Sequence, residues 1–96
     1  MILTAPAEVE QTDRDRLDYY HYWTRWLTAG DVIIASSWEC ADTDLILESS
    51  TFSTSMTSVW IRGGVEGTTY SVFNHILTAQ GREMTVMLTM RIIQGD

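Results

Sequence analysis

The feature that most constrains this chain is the alternation of apolar and polar residues in its C-terminal half. Side chains of a β-strand point to opposite faces in turn, so a period of two residues is typical of a strand with one buried face. Three segments, 57–62, 69–78 and 85–93, follow this pattern. Their inward-facing residues are predicted to be Thr57, Val59, Ile61, Tyr70, Val72, Asn74, Ile76, Val86, Leu88, Met90 and Ile92.

Two earlier segments, 32–40 and 45–49, are also rich in strand-forming residues. In the first, the even-numbered residues are expected to share the inner face: Val32, Ile34, Ser36, Trp38 and Cys40. The polar stretch 50–55 is expected to be a connection. No segment shows a convincing helical period, so the sequence predicts an all-β protein. About seven short strands in this length favour an immunoglobulin-like β-sandwich.

Tyr70 supports this fold class. The run Gly67-x-x-Tyr70-x-Val72 enters the penultimate strand, where immunoglobulin-like folds place a tyrosine corner whose hydroxyl bonds back to the chain. A tyrosine that is simply half-buried in a strand is the alternative.

The N-terminal residues differ from the rest. Residues 1–18 contain the only proline, Pro6, and show no sustained period. They are predicted to form an extended arm in front of a single sandwich domain, residues 19–96, because a chain of 96 residues fits one domain. The arm is expected to contact a neighbouring subunit, and its removal is expected to leave the domain folded.

Charge argues against several classes of partner. The net charge is −7, and all six cationic residues are arginines that form no cluster. Binding to phosphates needs clustered cations, so neither nucleic acid nor an anionic membrane is an expected partner. Cys40 is the only cysteine, which allows no internal disulfide, and we expect synthesis in a cytoplasm.

The residues do not favour an enzyme. His21 and His75 are isolated among strand residues, and nothing in the spacing joins either to a nucleophile. The carboxylates around residues 39–48 lack the loop pattern of a calcium site and are interpreted as a solvated face. No cofactor, metal ion or catalytic residue is predicted.

Alternation also identifies side chains that face away from the core. Because Val59 and Ile61 face inward, Trp60 is expected on the outer face, where a large aromatic ring usually marks a contact surface. The same reasoning predicts further outward side chains on the last two strands: Phe73, His75, Leu77 and Met87.

A dense aromatic cluster precedes the turn at Gly30. Trp23 and Trp26 are predicted to point together and cap the core, which leaves the neighbouring tyrosines and Arg25 facing outward. Aromatic residues and arginine dominate the energetics of protein interfaces. The predicted partner-binding residues are Ile2, Leu3, Tyr20, Tyr22, Arg25, Trp60, Phe73 and Met87.

Several of these residues also lie in longer motifs. These are Asp18-Tyr19, Trp23-Thr24-Arg25-Trp26-Leu27-x-x-Gly30-Asp31, Ile34…Trp38, Val59-Trp60-Ile61-x-Gly63-Gly64-x-x-Gly67-Thr68-x-Tyr70-x-Val72 and Thr78-x-x-Gly81-Arg82. Over residues 18–92 the sequence resembles small bacteriophage virion proteins described as fiber–tail adaptors. It departs from them in an apolar turn at 32–34 and in a methionine-rich last strand.

The resemblance implies an immunoglobulin-like structural adaptor that joins tail fibres or spikes to the tail or neck of a virion. Its partners would be other virion proteins, with multiple copies arranged in a ring. Two alternatives stay open at this point. One is a carbohydrate- or receptor-binding module that uses Trp60 as a stacking platform, and the other is a capsid decoration protein.

Overall fold

The structure is a computed structural model that describes the backbone of residues 2–3 and the backbone and side chains of residues 7–95. The described chain forms strands joined by turns and loops: β1 Ile2–Leu3, β2 Ala7–Thr12, β3 Arg16–Tyr22, β4 Ile33–Cys40, β5 Leu45–Phe52, β6 Met56–Gly63, β7 Thr69–Thr78 and β8 Glu83–Ile93. Nowhere in these residues is there a helix with the length and apolar character needed to cross a membrane.

The strands form two four-stranded sheets. The first sheet has the order β1-β3-β6-β5, and the second has the order β2-β8-β7-β4. Pairing is antiparallel except for β1 with β3 and β2 with β8, which are parallel. This arrangement confirms the predicted all-β sandwich, while its assignment as immunoglobulin-like stays a prediction.

The core lies between the sheets and follows the predicted alternation. Every second residue of β7 from Tyr70 to Thr78 is buried, and their neighbours are exposed or half-buried. In β8 the buried residues are Leu88, Met90 and Ile92, whereas Val86 is half-buried at the edge of the core. Burial of these side chains is the main driving force for assembling the two sheets.

The register of β4 differs from the prediction at its first residues. Ile33 pairs with Thr78 and Ala35 pairs with Leu77, so Ile34 is an extra residue in a β-bulge. The bulge reverses the alternation, which buries Ile33 and exposes Ile34. The prediction that Ile34 faces inward was therefore wrong.

Beyond the bulge the predicted phase of β4 holds. Ser36, Trp38 and Cys40 pair with the inward-facing residues of β7 and are half-buried. Cys40 and Trp38 pack against the main core cluster.

Strand β5 is longer than predicted. It continues through residues 50–52, which the sequence assigned to a connection. A second bulge lies between Glu48 and Thr51, where Ser49 adopts a positive φ of 51°. The polar composition of this stretch reflects an edge strand with one solvated face.

The N-terminal segment is part of the sandwich, which corrects the boundary drawn at residue 18. Strand β2 pairs with β8 from Ala7–Leu88 to Thr12–Ile93, and β3 already begins at Arg16.

Gln11 of β2 ties this segment to the core. Its side chain accepts a 2.6 Å hydrogen bond from the buried Tyr19 hydroxyl and donates a 3.1 Å hydrogen bond to the Ile61 carbonyl. Burial, together with the charges of Asp15 and Asp18, raises the pKa of Tyr19 to about 12. Deleting residues 2–16 would remove β2 and this buried connection, so the deletion is expected to destabilise the domain.

Tyr70 has the geometry of the predicted corner. Its ring is buried, and its hydroxyl accepts a 2.8 Å hydrogen bond from the backbone N–H of Val65, five residues upstream. The bond fixes the loop between β6 and β7 against the start of β7.

Candidate docking surfaces

The outer face of the first sheet carries Trp60, as predicted. The Trp60 ring is half-buried because the Arg16 guanidinium lies over it, with the carbon Cζ 4.3 Å from the ring centroid. A cation held over an aromatic face is attracted by the ring's quadrupole. Trp60 is therefore on the expected face, but its ring is covered by the chain's own arginine.

Glu48 holds Arg16 in that position. One carboxylate oxygen accepts hydrogen bonds from Arg16 Nε at 2.7 Å and from Arg62 Nε at 3.1 Å. The bond from the Arg16 guanidinium, with the added charge of Arg62, lowers the pKa of Glu48. Such solvated pairs contribute little stability individually, but here they fix the covering arginine.

Tyr20 lies one row further along the same face and is half-buried. Its hydroxyl donates a hydrogen bond to Asp18, and that bond lowers the pKa of the Asp18 carboxyl and raises the pKa of the Tyr20 phenol.

The outer face of the second sheet carries a more apolar patch. Phe73 and Met87 are direct cross-strand partners, with Glu39 on the far side of Phe73. Phe73 is half-buried and Met87 is exposed. This confirms the outward orientation predicted for both.

His75 and Leu77 extend this face towards the β7–β8 hairpin. The His75 ring bonds through Nδ1 with the Thr85 hydroxyl at 2.7 Å and through Nε2 with a Glu83 carboxylate oxygen at 3.0 Å. Leu77 is half-buried and faces outward, as predicted.

Three loops meet at one end of the sandwich, which we call the loop end: residues 23–32, 53–55 and 79–82. Backbone hydrogen bonds connect them: Trp23 N–H to the Ser55 carbonyl, Ile33 N–H to the Thr54 carbonyl and Ala79 N–H to the Val32 carbonyl. The loops therefore form one continuous surface.

Trp23 anchors the loop end to the core, as predicted. Its ring is fully buried, and Nε1 donates hydrogen bonds to Thr57 Oγ1 at 3.1 Å and to Asn74 Oδ1 at 3.3 Å. The ring of His21 packs against it edge-on, with centroids 4.7 Å apart.

Asn74 extends this connection across the sheets. Its oxygen also accepts a 2.6 Å hydrogen bond from Thr57, and its nitrogen donates to the Ser36 hydroxyl and to the Ser37 carbonyl, each at 3.0 Å. A buried polar network thus connects the first loop, β6, β7 and β4.

Asp31 fastens the same loop to the β7–β8 hairpin. Its buried carboxylate accepts hydrogen bonds from the N–H groups of Val32 at 3.0 Å and Gln80 at 3.1 Å. Burial alone would raise the pKa of Asp31. Bonds from the Thr78 hydroxyl and from the two N–H groups outweigh burial, so this pKa lies below its ordinary value.

Trp26 does not cap the core. Half of its surface is exposed, so the prediction that it points inward with Trp23 was wrong. The backbone N–H groups of residues 26 and 27 both bond to the Trp23 carbonyl, and this tight turn directs the second tryptophan away from the first. Large exposed apolar residues lie in these loops or in the strand ends beside them, which we include in the loop end: Tyr22 (49%), Trp26 (51%), Ile34 (52%) and Phe52 (45%).

The opposite end has a different character, and we call it the acidic end. Its turns carry five carboxylates and one arginine: Asp13, Arg14, Asp15, Asp42, Asp44 and Glu66. Within the described chain, no three His, Cys, Asp or Glu side chains are arranged to hold a metal ion. Asp13, Asp42, Asp44 and Glu66 are exposed, whereas Asp15 is half-buried and accepts a 2.8 Å hydrogen bond from the Thr12 N–H.

The predicted partner-binding residues fall on separate surfaces. Tyr20 and Trp60 lie on the first sheet, Phe73 and Met87 on the second, and Tyr22 and Arg25 at the loop end. The side chains of Ile2 and Leu3 lie outside the described residues. The prediction missed Trp26, Ile34 and Phe52, of which only Ile34 had a sequence signal, since the run Val32-Ile33-Ile34 is too apolar for one face of a strand.

Comparison with known proteins supports the fold first. The chain is similar to the crystal structure of the cysteine protease inhibitor EhICP2 from Entamoeba histolytica, with a TM-score of 0.60, 16% identity, and coverage of 95% of this chain and 92% of that chain. At this identity the likeness concerns the fold alone. The protein thus belongs to the class of small two-sheet β-sandwiches, and its surface carries exposed aromatic side chains.

The family is shown by the sequence. Residues 11–91 match the family model Gp77, described as podophage GP4 fiber-tail adaptor protein gp77, and the chain belongs to this family. The match begins at Gln11, so it extends further towards the N-terminus than the resemblance over residues 18–92. Membership assigns a structural adaptor role in the tail of a phage virion. No curated protein matches the sequence.

Proposed function

We infer that the protein joins tail fibres or spikes to the tail or neck of the virion by binding a different protein through each of two surfaces. The observation that carries this is the family match together with two apolar surfaces on separate parts of the domain. One is the loop end, and the other is the Phe73–Met87 patch on the second sheet. An adaptor must contact two partners at once, and separate surfaces allow this without competition.

Multiple copies in a ring would strengthen such attachment. Each apolar patch on this small domain is modest, and a single contact of that size supports weak binding. Linked copies act at a high effective concentration, so several weak contacts hold a fibre firmly. Synthesis in the host cytoplasm, followed by incorporation into the tail, is part of the proposal.

Trp60 supports the adaptor over a carbohydrate-binding module. Sugar stacking needs an open aromatic face, and the Arg16 guanidinium lies over this ring. Nothing in the surfaces described above favours capsid decoration.

The test is assembly of the phage without this protein. Particles made in its absence are expected to contain DNA and a tail but to lack fibres, and supplying the protein in trans is expected to restore them. Mass spectrometry of purified particles would measure fibre content, and cryo-electron microscopy would locate the adaptor. A normal fibre content in particles lacking the protein would refute the proposal.

The second-sheet patch has its own test. Met87→Glu places a charge beside Phe73 and is expected to lower the amount of this protein that is incorporated into phage particles. Thr89→Glu, on the same strand and face but outside the patch, serves as the matched control.

A further inference from the structure

We propose that the loop end inserts Trp26 into an apolar pocket rimmed by carboxylates on another virion protein. The inference rests on the adaptor function proposed above and specifies one of its two contacts. The partner is thus defined by its chemistry: a protein surface with a pocket sized for an indole ring and with acidic residues around it.

Rigidity is the first reason. Trp26 lies three residues after Trp23. The Trp23 ring is fully buried and hydrogen-bonded to two other core residues. The N–H of Trp26 itself bonds to the Trp23 carbonyl at 2.8 Å. The backbone that carries the exposed ring is thus already fixed, so it loses little conformational freedom on binding, which favours a strong anchor residue.

The rest of the loop is equally well held. Asp31 fastens it to the β7–β8 hairpin by accepting a hydrogen bond from the Gln80 backbone N–H, and Arg82 reaches both the Asp31 carboxylate at 3.5 Å and the Thr28 hydroxyl at 2.8 Å. A loop with this many fixed points holds one backbone arrangement, from which its exposed side chains project.

Composition is the second reason. Tyr22, Arg25 and Trp26 belong to the three residue types that carry most binding energy in protein interfaces. Half of the large exposed apolar residues of the described chain lie at this end, although the loops themselves are short.

Charge identifies the partner's chemistry. The protein carries −7 overall, yet the solvent-facing charges of the three loops are the arginines Arg25 and Arg82. The carboxylate of Asp31, also in these loops, is fully buried and already bonded. Glu83, directly after the third loop, is also exposed but bonds with His75, so the two arginines are the cations that border the exposed rings. Cations beside an apolar centre are complementary to an apolar pocket with an acidic rim.

A second copy of the chain is a poorer occupant. Its acidic end would complement the loop end in charge, but copies stacked end to end form an open filament rather than a closed ring. Two loop ends facing each other would bring like-charged arginines together.

The test uses two purified probes, phage particles assembled without the adaptor and isolated tail fibres, and measures their affinities for the protein. Trp26→Ala is expected to weaken binding to one probe by about 30-fold, the loss typical of an anchor residue. Binding to the other probe is expected to stay within about threefold of the wild type. Arg25→Glu is expected to weaken the same contact, whereas Arg25→Lys retains most of it.

Val65→Ala is the matched control, since its side chain is also half-exposed but lies in the loop between β6 and β7, at the acidic end. It is expected to leave both affinities unchanged. Thermal unfolding of Trp26→Ala should match the wild type, because the ring contributes little to the core.

Three outcomes would overturn the proposal. A folded Trp26→Ala variant that binds both probes as the wild type does would exclude the loop end. Loss of self-association in this variant without loss of either affinity would assign the surface to a second copy. Failure of the wild type to bind either probe would refute the adaptor function itself.

Discussion

The buried amide of Asn74 offers the sharpest test of how the two sheets are held together. In Asn74→Ala, the Thr57 hydroxyl, the Ser36 hydroxyl and the Ser37 carbonyl each lose a hydrogen bond, while Trp23 Nε1 keeps its bond to Thr57. An unsatisfied buried polar group costs about 1–3 kcal/mol. Only the Thr57 bond is fully buried and the two serine bonds are partly buried, so the substitution should lower the free energy of unfolding by about 3 kcal/mol. That is a large fraction of the total stability of a small domain.

Urea unfolding of the purified protein, followed by tryptophan fluorescence, measures this difference. Ser71→Ala is the matched control, because Ser71 lies on the same strand but faces solvent, and its cost should stay within about 0.5 kcal/mol. In the Asn74→Ala background, Thr57→Val should cost less than it does in the wild type, since the hydroxyl has already lost its acceptor. A cost below about 1 kcal/mol for Asn74→Ala, with an unchanged denaturant slope, would refute the network's role.

Three further predictions concern the core and its turns. Because the pKa of Tyr19 is raised from 10.0 to about 12, its contribution to stability is complete below pH 10 and is lost as the pH rises towards 12. Tyr19→Phe should reduce this alkaline loss in unfolding curves taken at successive pH values, and an identical loss in both proteins would contradict the assignment. Gly64→Ala should cost about 2 kcal/mol more than Gly67→Ala, because both glycines have positive φ but only a Cβ at Gly64 meets a neighbouring side chain, at 2.7 Å. If urea unfolding gives equal losses of unfolding free energy for the two variants, a steric clash at Gly64 is excluded. Tyr70→Phe leaves a backbone N–H without its acceptor and should lower stability by about 1 kcal/mol, a fall of about 4–8 °C in the melting temperature that calorimetry can measure. An unchanged melting temperature would indicate that the corner does not stabilise the loop.

The sequence predicted the strands that have one face in the core. In β6, β7 and β8 the burial of alternate residues is a strong and local signal, and it placed Val59, Tyr70 and Met90 correctly. It also placed Asn74 inward, which no hydrophobicity argument would have done. The partners of that amide come from three other segments, so their identity depended on the fold.

Where the alternation breaks, the prediction fails. The bulge at Ile34 shifts the phase by one residue, and a bulge inside an apolar run leaves no polar residue to reveal the shift. The prediction for Trp26 fails because a spacing of three residues does not give a shared direction here: a tight turn separates the rings of Trp23 and Trp26.

The N-terminal strand was missed for a different reason. Strand β2 pairs with β8, and its fully buried residue is Gln11. Because the Gln11 side chain is polar, the segment lacks the apolar pattern of a core strand. The strand that stabilises β2 is distant in sequence, since Ala7 pairs with Leu88.

That distance has a consequence for how the protein is made. The register of β2 against β8, from Ala7–Leu88 to Thr12–Ile93, joins two strands that β3 to β7 separate in sequence. On the ribosome, β2 therefore has no partner strand until β8 has left the exit tunnel. The second sheet can be completed only after β8 has been synthesised, and contacts this distant in sequence are slow to form. A nascent chain stalled before β8 would leave β2 and β7 without their shared partner and open to pairing with other chains.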